Sequence, residues 1–177
     1  MSRNTVYDQI ILQLKSKFSD STPLNILDNM QKVYEAKDND YSSTGLPMGN
    51  LRKCEDAGID AWRGCLVRMG DKISRLENFL SHQEYKVDEK AEDTIIDLSN
   101  YSILMSCLLK EILSQGNLNK HHISITELAI KDLFNLSYYC VFQAMLWKQN
   151  DSKSDLSNLE KVLAYWKNLC DYSLEMV

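Results

Sequence analysis

Apolar side chains recur every three to four residues along most of the 177-residue chain. A clear case is the series Leu66, Met69, Ile73, Leu76 and Leu80. This spacing places side chains on one face of an α-helix, whereas a strand needs strict alternation, of which the chain has no convincing stretch. The pattern therefore predicts an all-α bundle of about five to six helices. The predicted helices cover about residues 6–18, 22–36, 61–80, 89–112, 125–148 and 155–174.

The size and cysteine content of the chain predict a single all-α domain over residues 1–177, with the helices after residue 123 packed as an extension. A chain of this length buries roughly two thirds of its unfolded surface, so it folds without disulfides or a structural metal. The cysteines are odd in number and form no CxxC pair, which indicates reduced thiols in a cytosolic setting. They are Cys54, Cys65, Cys107, Cys140 and Cys170.

The charge and hydropathy of the chain limit the classes of partner that it can have. Its net charge is −5 with both signs interspersed, so duplex nucleic acid is a poor partner, whereas a single nucleotide is compatible. No apolar run approaches the roughly 18 residues of a membrane span, and the polar N-terminus lacks the apolar segment of a signal peptide. We therefore expect a soluble cytoplasmic protein without membrane contact.

Residues 37–62 interrupt the helical pattern with Gly45, Pro47, Gly49 and Gly58. These residue types predict a long structured loop, with one short helix at about residues 51–56. Loops of this length in a compact domain are either functional or disordered. The apolar and aromatic residues of the segment favour a functional loop over a disordered one.

Asp97 and Asn100 interrupt the apolar run at residues 94–104. An apolar helix is normally buried, and a buried carboxylate needs a cation, an arginine or a hydrogen-bonded network. Asp93 lies one turn before Asp97, and the same stripe continues as Leu104 and Leu108. Two interpretations stay open: a binding site between packed helices, or a structural network of aspartates.

The third predicted helix carries a polar face whose role is also open. In one interpretation the face is solvated, and Asp71 and Arg75 form an ordinary ion pair one turn apart. In the other, Arg68 and Arg75 bind phosphate with two hydrogen bonds each and Lys72 binds it as a point charge.

The fifth predicted helix echoes the fourth, because residues 92–102 and 127–137 share six identical positions at an offset of 35 residues. Either the helix is duplicated or the two helices have similar composition. Duplication would make Asp132 and Asn135 a second polar patch that faces the first.

Three segments, residues 37–62, 63–76 and 92–104, together resemble the nucleotide-modification-associated family of the first type. The resemblance covers about residues 25–112. Members of that family occur mainly in bacteriophages and bacteria, and their fold is similar to the all-α NTP pyrophosphatases of the MazG-like class. The resemblance implies a nucleotide-handling protein that forms a homodimer and is encoded by a phage or by a bacterium carrying phage genes. If a phage encodes it, its expected location is the host cytoplasm.

By the same resemblance, acidic residues on two adjacent helices hold magnesium while an activated water attacks a phosphate. The implied metal ligands are Asp71, Glu92, Asp93 and Asp97, and the implied catalytic residues are Asp71 and Asp97. One magnesium ion needs only one or two carboxylates beside phosphate and water, so Asp93 and Asp97 can suffice. The pyrophosphatases carry paired glutamates where this chain has Arg68, Asp71, Lys72 and Arg75.

The candidate nucleotide contacts combine cations, polar side chains and aromatic rings. Arg68, Lys72 and Arg75 suit phosphate. The polar residues suited to a base or sugar edge are Asp40, Asn50, Asn78 and Asn100. Tyr41 and Trp62 are either stacking surfaces or core residues.

These observations leave three functions. The first is magnesium-dependent nucleotide processing, such as pyrophosphohydrolysis, in phage-type nucleotide metabolism or DNA base modification. The second is a non-catalytic nucleotide binder that sequesters a nucleotide or supports a modification enzyme. The third is a helical protein-interaction module in which the aspartates and cations hold the bundle together.

Overall fold

A computed structural model describes residues 4–41, 47–82, 89–149 and 156–176 of the chain. Over these residues the protein is all-α, as predicted, with no strand. Its long helices are α1 (Thr5–Lys15), α2 (Ser21–Tyr41), α4 (Ala61–Ser81), α5 (Glu89–Ser114), α6 (Lys120–Gln149) and α7 (Ser157–Glu175). Between α2 and α4 lie the short helix α3 (Gly49–Arg52) and a 3-10 helix (Lys53–Ala57).

The loop predicted over residues 37–62 begins later than expected, whereas the short helix predicted within it at about residues 51–56 is confirmed. Helix α2 continues to Tyr41, and α3 with the 3-10 helix covers residues 49–57. Polar residues 37–40 lack an apolar stripe, yet they contain no proline or glycine that would end a helix. Their position is fixed by Asp38, a buried residue whose carboxylate accepts the backbone N–H of Met48 at 2.8 Å. Residues 42–46 lie outside the described part of the chain.

Helix α5 lies at the centre of the bundle, between α4 and α6, and α7 packs on α6. Small side chains make the contact between α5 and α6. Ser99 and Ser137 are fully buried, and their hydroxyl oxygens lie 2.6 Å apart. Each serine thus supplies the hydrogen-bond partner that the other needs in the core. None of the described helices is both long enough and apolar enough to cross a membrane.

The buried thiols predict a loss of stability at alkaline pH. Burial raises the pKa of the Cys65 thiol from its ordinary 9.0 to about 12. Between these values the unfolded chain ionises while the folded protein keeps the proton, so the free energy of unfolding falls as pH rises. We expect Cys65 alone to contribute a fall of about 1.4 kcal/mol per pH unit above pH 9.

Urea unfolding of wild type and of the variant Cys65→Ala at pH 8, 9 and 10 measures this contribution. The alanine cannot ionise, so the variant should lose less stability between pH 9 and pH 10 than wild type does. The difference between the two slopes is independent of any constant destabilisation that the substitution causes. Equal slopes would contradict the prediction.

Candidate functional site

A cleft of about 360 Å³ lies between α2 and α5, beside the end of α6. Apolar and polar side chains line it. The apolar ones are Ile26, Met30, Val33 and Ile96. The polar ones are Asn29, Lys37, Asp93, Asp97, Asn100 and Lys148. Its volume lies within the range of about 300–1,000 Å³ that is usual for small-molecule sites.

Helical periodicity explains why these side chains meet. On α5, Asp93, Asp97 and Asn100 follow one another at intervals of four and three residues, so they share one stripe, as the sequence predicts. On α2, Met30 and Lys37 lie two turns apart and face the same cleft. The cleft therefore forms where a polar stripe of α5 meets a mixed stripe of α2.

The partner that Asp97 needs is a lysine of α4. Lys72 Nζ lies 2.9 Å from Asp97 Oδ2, and the exposed fractions of the two side chains are 17% and 49%. Asp97 is thus partly exposed rather than buried in the core. The ion pair joins α4 to the edge of the cleft, and no described residue binds the other carboxylate oxygen of Asp97.

The four predicted magnesium ligands do not come together. Glu92 binds Lys148 of α6, with 2.5 Å between Oε1 and Nζ. Asp71 is exposed on α4 and does not line the cleft. Within the described residues, no three side chains of His, Cys, Asp or Glu are grouped so that they could hold a metal ion. Only Asp93 and Asp97 share the cleft, which fits a two-carboxylate site completed by phosphate and water.

Most of the predicted nucleotide contacts lie elsewhere. Trp62 is 1% exposed, so it is a core residue and its prediction as a stacking surface is wrong. Of the other predicted contacts outside the cleft lining, Lys72 is partly buried and binds Asp97, whereas five residues are exposed: Asp40, Asn50, Arg68, Arg75 and Asn78. The side chain of Tyr41 lies outside the described part of the chain. In that part, Asp71 and Arg75 do not form the ion pair that the alternative interpretation predicts.

Asn100 is held by a residue that the sequence did not point to. The hydroxyl of Tyr7 in α1 donates a hydrogen bond of 2.6 Å to Asn100 Oδ1. Tyr7 is fully buried, and its ring stacks on that of Tyr34 with 4.1 Å between centroids. Burial, followed by the neighbouring Tyr34, raises the pKa of Tyr7 well above its ordinary value, so the phenol keeps its proton and acts as a donor.

Sequence reasoning also missed three cleft residues, Asn29, Lys37 and Lys148. The position of Lys37 could have been predicted, because extending the second predicted helix by one turn places Lys37 on the same face as Met30 and Val33. No sequence pattern indicates that Lys148 lines the cleft, since Lys148 reaches it only through the packing of α6 against α5.

The second polar patch does not face the first, so that expectation is wrong. Asp132 is buried, and its Oδ2 accepts a hydrogen bond of 3.1 Å from Asn168 Nδ2 of α7. Asp97 instead binds Lys72 of α4. The two aspartates therefore serve different helix contacts, whatever the origin of the similar sequences around them.

No family model, curated protein or solved structure matches this chain. The family resemblance and the functions that it implies therefore stay predictions, and the proposed function depends on the cleft itself.

The exposure of Asp97 predicts a small effect of Asp97→Asn on stability. An ion pair with one half-exposed partner contributes little, and we expect the free energy of unfolding to fall by less than about 1 kcal/mol. Urea unfolding at pH 7 measures it, with Lys72→Gln as the companion variant. A loss of about 3 kcal/mol or more would contradict the prediction and favour the aspartate network of an interaction module.

Proposed function

We propose that the cleft between α2 and α5 binds a nucleotide with magnesium. The observation that carries the proposal is the combination, in one cleft, of apolar side chains with cations and carboxylates. A nucleotide combines matching properties, because its base and sugar present apolar faces and its phosphates are anionic. Ligand pockets of this kind combine apolar surface with a few polar groups that fix orientation.

Each part of the cleft has a role in this proposal. Met30 and Val33 contact the base or sugar, and Lys37 and Lys148 attract the phosphates as point charges. Asp93 and Asp97 would hold magnesium, which would supply positive charge that offsets the charge of the phosphates. Lys72 holds the Asp97 carboxylate in place through their ion pair.

Nucleotide processing, such as pyrophosphohydrolysis, is the catalytic form of this proposal. The second candidate is a binder without turnover, which the distribution of the carboxylates favours. Only two of the four predicted ligands share the cleft, and one of them is engaged by a lysine. Binding and turnover are therefore measured separately.

The test is a thermal-shift screen of ribo- and deoxynucleoside mono- and triphosphates, with and without magnesium. A ligand at a hundred times its dissociation constant stabilises the protein by about 2.7 kcal/mol, a shift of several degrees for a domain of this size. Chromatography of each hit then detects product. Consumption of the ligand supports the enzyme, and a shift without product supports the binder.

Two lysines of α2 provide a matched pair of variants. Lys37 lines the cleft, whereas Lys32 is exposed on the same helix and does not line it. We expect Lys37→Gln to weaken nucleotide binding by about tenfold and Lys32→Gln to leave it unchanged. Absence of a thermal shift with every nucleotide, with and without magnesium, would contradict the proposal.

A further inference from the structure

The carboxamide of Asn100 has its two ends in different situations. Its oxygen accepts the hydrogen bond from Tyr7, while its nitrogen has no acceptor among the described residues. Asn100 is partly exposed and lines the cleft. The group that it can offer to a ligand is therefore the amide nitrogen, which is a donor of two hydrogen bonds and never an acceptor.

The burial of Tyr7 determines this orientation of the amide. The Tyr7 hydroxyl has no second hydrogen-bond partner in the described part of the chain, and the residue is fully buried. If the amide were turned over, its nitrogen would donate to the phenol oxygen and the hydroxyl proton would lose its acceptor. An unpaired buried donor is costly, so the oxygen of Asn100 stays on the tyrosine.

Tyr7 itself is fixed by its neighbours. Its ring stacks on that of Tyr34, a contact that Tyr34→Phe would keep. Asn4 caps α1, since its Oδ1 accepts the backbone N–H of Tyr7 at 3.0 Å. The first turn of α1 thus fixes the position of the Tyr7 hydroxyl, which in turn fixes the amide of Asn100.

We propose that Tyr7 is a positioning residue that makes Asn100 a fixed hydrogen-bond donor, so that the cleft selects nucleotides with an acceptor oxygen at that point. This inference rests on the proposed function and adds to it that the cleft donates a hydrogen bond to the nucleotide at Asn100 and does not accept one there. The acceptor is either a carbonyl oxygen of the base or an oxygen of the phosphate. Ligands that present an amino group there meet donor against donor and bind more weakly.

The positioning is tested in the free protein, without any ligand. The variants Tyr7→Phe and Tyr34→Phe each remove one hydroxyl from the stacked pair and keep both rings. Nitrogen-15 relaxation of the Asn100 side-chain amide should show greater mobility in Tyr7→Phe and wild-type behaviour in Tyr34→Phe. Unchanged order of that amide in Tyr7→Phe would overturn the positioning role.

The selectivity is tested by titration calorimetry with UMP and GMP, which carry a carbonyl oxygen at C4 of uracil or C6 of guanine, and with CMP and AMP, which carry an amino group at the corresponding position. If the acceptor is a base carbonyl, wild type should prefer UMP over CMP and GMP over AMP by about tenfold. Tyr7→Phe should reduce this preference at least threefold, because the freed amide can turn over. Tyr34→Phe should preserve it.

If the acceptor is a phosphate oxygen, the four nucleotides bind alike and uridine does not bind. Tyr7→Phe then weakens the binding of all four nucleotides.

In either case Asn100→Asp removes the hydrogen-bond donor, keeps an acceptor for the Tyr7 hydroxyl and adds one negative charge. The control is Asn29→Asp, which adds the same charge to the same cleft.

We expect Asn100→Asp to weaken binding at least fivefold more than Asn29→Asp does. Equal weakening by the two variants, or tighter binding of CMP and AMP by wild type, would overturn the selectivity. If no nucleotide binds wild type, the proposed function fails and the selectivity fails with it. The relaxation experiment still decides the role of Tyr7 in that case, so the two failures are distinguishable.

Discussion

The variant Trp62→Ala is expected to unfold with a free energy about 3–5 kcal/mol below that of wild type. Trp62 is 1% exposed and is among the largest fully buried side chains of the described core. Its truncation removes apolar area that folding buries and leaves a cavity that the helices cannot fill completely. For a chain of this length the melting temperature should fall by about 10 °C. Urea unfolding and calorimetry measure the two quantities.

The matched control is Val67→Ala, because Val67 is exposed on the same helix, α4. We expect it to change the free energy of unfolding by less than about 0.5 kcal/mol. Comparable losses in the two variants would show that Trp62 is not a core residue. A Trp62→Phe protein, which remains folded, should bind nucleotides as wild type does, because the indole does not line the cleft.

The second large effect is expected from Ser137→Leu, with a loss of at least about 2 kcal/mol in the free energy of unfolding. Ser99 and Ser137 meet between α5 and α6 with 2.6 Å between hydroxyl oxygens, so there is no room for a larger side chain. Leucine would force the two central helices apart, and overpacking of this kind typically costs about 1–3 kcal/mol. The Ser99 hydroxyl would also lose its side-chain partner, but it can still donate to the backbone carbonyl of Ser137, 3.3 Å away, so this loss should add at most about 1 kcal/mol.

Ser124→Leu provides the comparison, since Ser124 is exposed on the same helix, α6. Both variants introduce leucine for serine into a helix, so their difference reports the contact with α5 rather than helix propensity. Urea unfolding followed by circular dichroism measures both. A Ser137→Leu protein as stable as Ser124→Leu would mean that α5 and α6 do not pack as closely as described.

The two stability predictions concern the core, whereas the proposed ligand site lies at its edge. Asp93, Asp97 and Asn100 share one face of α5 with core residues further along the same helix, such as Leu104 and Leu108. A single helix can therefore hold the bundle together with one part of its face and line a cleft with another. Variants of the cleft residues should accordingly change binding more than stability.

Local periodicity was sufficient to predict the helices and part of the site. The spacing of apolar residues gave the all-α class and the six long helices, because side chains three to four residues apart share a face in any helix. The same rule placed Asp93, Asp97 and Asn100 on one stripe. Periodicity was less reliable at residues 37–41, where the polar sequence has no apolar stripe although the helix continues to Tyr41. There the carboxylate of Asp38 accepts a hydrogen bond from the backbone N–H of Met48, a contact that periodicity does not reveal.

The tertiary structure alone decided which helices that stripe faces. Asp97 forms an ion pair with Lys72 on α4, 25 residues away in the chain. Asn100 accepts a hydrogen bond from Tyr7 on α1, 93 residues away. The sequence by itself determined that a polar stripe on an apolar helix needs partners. It did not determine the partners, since periodicity fixes the direction of a side chain on its own helix but not the packing of helices distant in the chain.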